Sequence, residues 1–424
     1  MDGTLTRRLF LGAAAAAAVA SPAAARAAGA PHGRLRLELI PPAGPFPVGT
    51  VSLYLVDHSR RDPWVPSRPR ELMVSVWYPA LNASGYPWAP WIQQAAGALY
   101  LNQFVGSLQG AGSGSSSDGL PGGSSLPGVS LPVTQAREGA PVRLAGRRYP
   151  VVLYQPGYGD IRETGTGLVS DLASRGYIVV TMDDTYEAQV VEFPGGRLVT
   201  PRPDQNHVGG ARLADTRFVL SELQRLQSGA NPDALHRKLP AGLSKAIDTG
   251  KTGMFGHSLG GAMAAEVMAA DHRIYAGIDL DGTILLKKRS LNPKLDKELA
   301  RRLGRRPFML FTRQGHDARD DPTLAGFWAG LRGWKLFLAL RHAQHFSFTD
   351  FEEFLSQLLA ARIRPDKITA NLVAGYIGTI GPGQAVAAER AYIAAFFDLH
   401  LRGQRSPLLN GPSPRYPQVE FLGR

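Results

Sequence analysis

The sequence predicts an α/β protein with a mostly parallel central sheet, helices on both of its faces, and an antiparallel edge built by the N-terminal strands. Three observations carry this. From residue 149 onward, short apolar runs alternate with helical patterns, as parallel strands joined by crossover helices do. Near the N-terminus, three β-forming runs follow one another between Pro and Gly breaks, with no helix between them. The 424 residues are 44% apolar and 19% charged, enough to bury a sizeable core.

Taken in order, the chain opens with MDGTLTRRLFLGAAAAAAVASPAAARAAGA. Paired arginines (Arg7, Arg8), an apolar run from Leu9 to Ala20, and a small-residue end at Ala25-Arg26-Ala27 read as a twin-arginine export signal over 1–27, removed from a secreted protein. The run is about a dozen residues against the roughly 20 that span a bilayer, so a retained anchor is the weaker reading. The mature chain, 28–424, reads as one domain. RLRLELI (34–40), TVSLYLVD (50–57) and ELMVSVWYP (71–79) are the expected edge strands. Residues 106–130, rich in Gly, Ser and Pro, read as a flexible insertion; the sheet pattern resumes after them.

Strands are then expected at YPVVLYQ, YIVVTMD, KTGMFG, IYAGIDLD, RPFMLFT and WKLFLALR, with helices near 164–175, 208–227, 260–270 and 294–303. In such sheets ligands gather beyond the carboxyl ends of the strands, so chemistry is sought just after each one.

Composition removes some functions. With no cysteine there are no disulfides, thiolate metal sites or thiol nucleophiles. The net charge of +12 is dispersed; its one dense run, 286–306, is interrupted by Asp296 and Glu298 and reads as a solvated helix face rather than a nucleic-acid surface.

In GMFGHSLGGAMAAE (253–266), Ser258 sits in a Gly-x-Ser-x-Gly pattern. Such a match is weak by itself in a glycine-rich chain. Its setting strengthens it: a short apolar strand before and an alanine-rich helix after put Ser258 on a strand-to-helix turn. That turn needs Gly256 and Gly260, exposes the hydroxyl, and aims the Leu259 N–H at a reacting oxygen. A serine hydroxyl needs a base, and the base a carboxylate.

In this arrangement the partners follow the serine in the order acid, histidine. The histidines available are His272, His316, His342, His345 and His400. His272 and His400 read as surface residues. His345, just past a late strand, is favoured over His342 by its placement. For the acid, Asp281 and Asp317 each follow a strand, and the residues alone leave them level; Asp279 lies on the same face as Asp281 but deeper. A second oxyanion donor is expected at the Tyr158 N–H between Gly157 and Gly159; no Gly-Lys-Ser/Thr follows, which rules out a phosphate loop. YPWAPWIQQ (86–94) reads equally as acyl pocket or core.

YPVVLYQPGYGDIRETGTGLVSDLASRGYIVVTMDD, GHSLGG, GIDLDGT and HFSFTDF together resemble the plasma-type platelet-activating-factor acetylhydrolases, from about Glu71 to Arg402. The resemblance implies an α/β-hydrolase fold and hydrolysis of short or oxidised acyl esters of phospholipids without metal or other cofactor. It also implies Asp281 as the acid, since the family's acid follows the strand after the nucleophile's helix; a cutinase-like polyester hydrolase would use Asp317. The implied set is Ser258, Asp281 and His345, with the Tyr158 and Leu259 N–H groups as oxyanion donors. The chain departs from the family in having Pro156 before Gly157 in place of a histidine, and in placing the 106–130 stretch where the family docks on lipid. The implied partner is a small-molecule or lipid ester, with transient contact to a lipid surface and none to nucleic acid. The rivals are a general carboxylesterase, lipase or polyester hydrolase and, from another class, a catalytically silent binding protein.

Overall fold

The computed structural model describes residues 35–110, 128–202, 204, 206–284, 293–363 and 368–424. The expected export signal, most of the 106–130 stretch and the start of the basic 286–306 run lie outside the described residues.

Eleven strands form the central sheet: β1 (Val48–Arg61), β2 (Pro69–Pro79), β3 (Trp88–Pro90), β4 (Val133–Glu138), β5 (Tyr149–Gln155), β6 (Ile178–Met182), β7 (Ile247–His257), β8 (Ile274–Leu280), β9 (Phe308–Arg313), β10 (Lys335–Leu340) and β11 (Val419–Gly423). Their spatial order is β11-β10-β9-β8-β7-β5-β6-β2-β1-β4-β3. The six from β6 to β10 run parallel, whereas β2 pairs antiparallel with β6 and β1, and β11 closes the other edge antiparallel to β10.

The helices are α1 (Gln94–Gly110), α2 (Thr166–Ser174), α3 (Val208–Gln227), α4 (Leu259–Ala270), α5 (Pro293–Arg302), α6 (Pro322–Gly330), α7 (Phe351–Ala360), α8 (Ala370–Ile377) and α9 (Pro382–Arg402), besides shorter turns.

The parallel strands are apolar without a break because both of their faces are covered. Val151 and Leu153 of β5, Met254 of β7, and Phe308 and Leu310 of β9 pack on one side with α3, α4, α5 and α6. The alternate residues Val152 and Tyr154, Phe255, and Met309 and Phe311 pack on the other with α2 and α9. A third apolar cluster gathers Trp91, Tyr100, Phe193, Phe354 and Ile377.

Connectivity makes one cleft in this sheet. From β5 the chain crosses through α2 to β6 on one side, and later returns so that β7 lies on the other side of β5. The loops leaving β5 and β7 therefore diverge and leave a crevice at the strand ends.

Two sequence expectations change. Among the described residues of RLRLELI only Leu35–Arg36 is strand, paired with Val129–Ser130 outside the central sheet, so this pair is no part of the antiparallel edge. The stretch starting at 106 is not wholly a loop: 106–110 complete α1. YPWAPWIQQ contributes β3 and core, where Trp91 is buried and its indole N–H donates to Asp350 at 2.7 Å, and Ala89 to Gln93 also border a cavity with Arg162 and Glu163. Among the described residues no helix is long and apolar enough to cross a membrane.

Behind α7 and α9 the core holds four acids, Asp350, Glu352, Glu353 and Glu389, beside Arg390. Both Glu352 carboxylate oxygens are buried without a hydrogen-bond partner, and burial, reinforced by Glu353, pushes its pKa up to about 8. Glu352 therefore stays protonated in the fold while the unfolded chain ionises near pH 4.3. Its contribution to stability is present below that pH and drains away as the pH rises toward 8. Replacing it by Gln is expected to raise the melting temperature by a few degrees at pH 8.5 and not at pH 5. Thermal unfolding at both values checks this, and parallel Tm–pH curves for the two proteins would refute it.

Candidate active site

Ser258 lies between β7 and α4, as the cap of α4, with φ 55° and ψ −121°, a region that side chains rarely enter. Holding it there costs about 1–3 kcal/mol, and close packing on both sides enforces it. A Cβ on Gly256 would strike the Gly260 backbone, one on Gly260 the Gln155 carbonyl, and one on Gly261 the Asp279 carboxylate. The two glycines expected from the sequence are thus required, and Gly261 is a third. The Ser258 N–H donates to the Leu280 carbonyl at 2.9 Å, tying the turn to the end of β8. The serine itself is half-buried.

Strand register brings the acid beside it. His257 aligns with Leu280, and Leu280 with Phe311, so Ser258 and Asp281 leave neighbouring strand ends. Asp281 has a positive φ of 53° and is 1% exposed. Its Oδ2 lies 2.6 Å from His345 Nδ1, and its Oδ1 lies 2.7 Å from His316 Nδ1. Oδ1 also accepts the Arg313 backbone N–H at 3.0 Å, while the Arg313 guanidinium donates to both oxygens. Burial alone would raise the Asp281 pKa, but hydrogen bonds from His316 and His345 outweigh it and hold the carboxyl well below its ordinary value.

His345 opens a short 3-10 turn, His345–Phe348, fixed by reciprocal bonds between Gln344 and Ser347. The Ser347 hydroxyl donates to Ile377 O at 2.7 Å. From below, His257 Nε2 donates to the His345 carbonyl at 2.8 Å, and the two rings sit 4.5 Å apart. Donation from Nδ1 to Asp281 turns Nε2 away from the acid. Burial lowers the His345 pKa below its ordinary value, against the opposing pull of Asp281.

The loop after β5 lies against the serine. A Cβ on Gly157 would fall 2.8 Å from Asp160 Oδ2 and 3.4 Å from Ser258 Cβ. Arg212 of α3, buried and paired with Glu187 and Asp184, donates to the carbonyls of Pro156 at 2.8 Å and Gly157 at 2.9 Å. In a trans peptide the N–H opposes the C=O, so Arg212 turns the Tyr158 N–H to the loop's other side. The Tyr158 side chain is half exposed.

The competing residues lie elsewhere. Asp317 pairs with its neighbour Arg319 at 2.6 Å and accepts that residue's backbone N–H. His342 is exposed, and its carbonyl holds the Thr379 and Ile380 N–H groups. His400, expected at the surface, is packed between Trp334 and Phe396, and burial lowers its pKa to about 4. His316, Arg313, His257 and Arg212 were not picked out from the sequence as parts of the site. A His immediately before a candidate acid was the one available signal for His316. Among the described residues no group of three His, Asp or Glu side chains is set to hold a metal ion.

No protein-family model matches the chain. A probable 1-alkyl-2-acetylglycerophosphocholine esterase of Arthroderma benhamiae is 27% identical over 403 residues, 90% of this chain and 92% of that protein. The platelet-activating factor acetylhydrolase of Cavia porcellus is 21% identical over 248 residues, 53% of this chain and 55% of its own. Among solved structures, a ferulic acid esterase from Streptomyces cinnamoneus is 36% identical with a TM-score of 0.68, covering 91% of this chain and 99% of that one. The chain is therefore a carboxylic ester hydrolase of the α/β-hydrolase fold. It belongs to the esterase family of that Streptomyces enzyme, and the resemblance to the platelet-activating-factor acetylhydrolases read from its motifs is borne out by the curated relatives.

Replacing Gly260 by Ala forces a methyl against the Gln155 backbone, which cannot rotate away. The expected cost is about 2–3 kcal/mol, with loss of p-nitrophenyl acetate hydrolysis. Denaturant unfolding with a parallel rate assay tests it; a fully stable, active variant would contradict the packing described.

Proposed function

We propose that the protein is an exported serine esterase in which Ser258, His345 and Asp281 form the hydrolytic triad. The observation that carries this is the 2.6 Å hydrogen bond from His345 to Asp281, made beside the strained Ser258 turn. His345 Nε2 takes the Ser258 hydroxyl proton as Oγ attacks the ester carbonyl carbon. The oxyanion is held by the Tyr158 and Leu259 N–H groups, one turned by Arg212 and the other at the head of α4. Collapse breaks the ester C–O bond, and His345 returns its proton to the departing alkoxide. Water, deprotonated by the same nitrogen, then frees the acid from the acyl-enzyme.

For the substrate we propose short acyl esters of phospholipids, the chemistry that the Arthroderma and Cavia relatives are named for. A second reading, an ester of a hydroxycinnamic acid, is favoured by the 36% identity to the ferulic acid esterase. For the export route, Arg7, Arg8 and the short apolar run that follows support twin-arginine secretion. Double Arg→Lys substitution is expected to retain the protein inside cells, as read by fractionation; undiminished secretion would exclude that route.

One kinetic series tests the reaction and its substrate. Against p-nitrophenyl acetate, Ser258→Ala and Asp281→Asn are expected to lose about 10⁴ in kcat, while Asp317→Asn stays near wild type. Because His345 must be neutral to accept a proton and burial favours that form, kcat/KM is expected to hold down to below about pH 6.5 before falling. Activity lost with Asp317→Asn and kept with Asp281→Asn would sink the assignment. Relative kcat/KM on an acetylated phospholipid and on methyl ferulate decides between the two substrate classes.

A further inference from the structure

Both ring nitrogens of His316 face carboxylates. Nδ1 lies 2.7 Å from Asp281 Oδ1, and Nε2 lies 3.3 Å from Asp321 Oδ2. A neutral imidazole has one N–H and one lone pair, and would set that lone pair against an anionic oxygen. Only the imidazolium donates to both. Burial opposes the charge, but the hydrogen bonds to Asp281 and Asp321 outweigh it and raise the His316 pKa to about 9.

The far end of this contact is anchored. Asp321 caps α6, its Oδ1 accepting the Thr323 N–H at 2.7 Å and the Leu324 N–H at 3.4 Å, which leaves Oδ2 for His316. A continuous line of bonds thus runs from the head of α6 through Asp321 and His316 to Asp281 and His345.

We propose that His316 is a positioning residue for ester hydrolysis: fixed by Asp321, it locks the rotation of the Asp281 carboxylate and offsets part of the negative charge that His345 meets. The inference rests on the assignment of Asp281 and His345 to the reaction. His316 contacts Asp281 on the oxygen that does not serve His345. Without it Asp281 would keep Arg313 on both oxygens but lose the shorter, ring-held contact on Oδ1.

The charged surroundings fix the direction of the electrostatic effect. Around His316 stand Asp281 and Asp279 from β8 and the residues after it, Arg313 from β9, and Asp321 from the head of α6. Around His345 stand Asp281, Arg313 and, from β7, His257. Removing the His316 charge while the rest remain makes the field at His345 more negative. His345 then binds its proton more tightly, and the acid limb of kcat/KM moves to higher pH. A residue that merely packs would leave that limb in place.

The experiment measures kcat and KM for p-nitrophenyl acetate from pH 4.5 to 9 in wild type, His316→Asn, Ser258→Ala and Asp281→Asn, each with a thermal melt. Asn supplies an N–H near the Nδ1 position without charge. The expected result for His316→Asn is a fall in kcat of about tenfold, an almost unchanged KM, and an acid limb raised by about half a pH unit or more. In parallel, nitrogen-detected NMR of the imidazoles in Ser258→Ala is expected to show His316 doubly protonated through pH 8. Adding Asp321→Asn, which still caps α6, should move its titration well below that value. An unshifted limb with kcat within about twofold of wild type, or a neutral His316 tautomer at pH 7, would overturn the proposal. The NMR arm decides alone if His316→Asn does not fold. Should Ser258→Ala or Asp281→Asn retain activity, the triad reading itself fails, an outcome distinct from failure of the His316 measurements alone.

Discussion

The arrangement turns on one buried negative charge, that of Asp281. An isolated carboxylate in a protein interior is too costly to keep and would take up a proton instead. Here its donors come from two neighbouring strand ends: the backbone and guanidinium of Arg313, which closes β9, with the His316 ring just past it, and the His345 ring from beyond β10. These donors arrive together because β8, β9 and β10 are parallel neighbours in register. The Asp281 N–H in turn holds the Phe311 carbonyl. The sheet fixes the charge, and the charge fixes where the late loops end.

The serine depends on the same sheet by a different force. Its turn is set by exclusion: α4 lies so close over β5 and β7 that no side chain fits at Gly256 or Gly260. The reversal of strand order at β5 and β7 puts Ser258 at the position where α/β sheets take their ligands. Arg212 of α3 orders the loop after β5 through its carbonyls, a support that needs no side chain from Pro156. Electrostatic pairing on one side of the serine and steric closeness on the other both trace back to strand spacing.

This division explains what could be read from the chain alone. The six parallel strands and the helices between them were legible because an apolar run flanked by glycine, and an alanine-rich run after it, are local patterns. The turn that carries Ser258 was legible for the same reason. The choice between Asp281 and Asp317 was not, since each simply follows a strand; what separates them is a hydrogen bond spanning 64 residues to His345. Asp317 drew attention, yet the neighbouring His316 is the residue that meets the acid, a matter of which way a short turn points. RLRLELI has the alternation of a strand but finds only Val129–Ser130 to pair with. β11, at the far end of the chain, is one strand of a long-range pair with no periodic signal. The head of α6 did carry a signal, Asp321-Pro322 in the cap and first positions.

Asp279 and Asp281 show how the fold chooses which acid to ionise. They lie two residues apart, Asp279 on β8 and Asp281 just past its end at positive φ, and both are buried. Asp279 receives only the Gly282 N–H, its other oxygen has no hydrogen-bond partner, and burial raises its pKa to about 7. Asp281 meets Arg313 and two histidines, and its pKa falls. Burial is therefore not what distinguishes them; the supply of cationic donors is. The donors stand at or just past the strand ends, Arg313 closing β9 and His316 and His345 following β9 and β10, and they meet the outer acid, on the strand end next to that of Ser258. The inner acid, its pKa pushed up to about 7 by burial, lies against Gly261 beneath α4. The lower pKa belongs to the acid that His345 reaches from beyond β10.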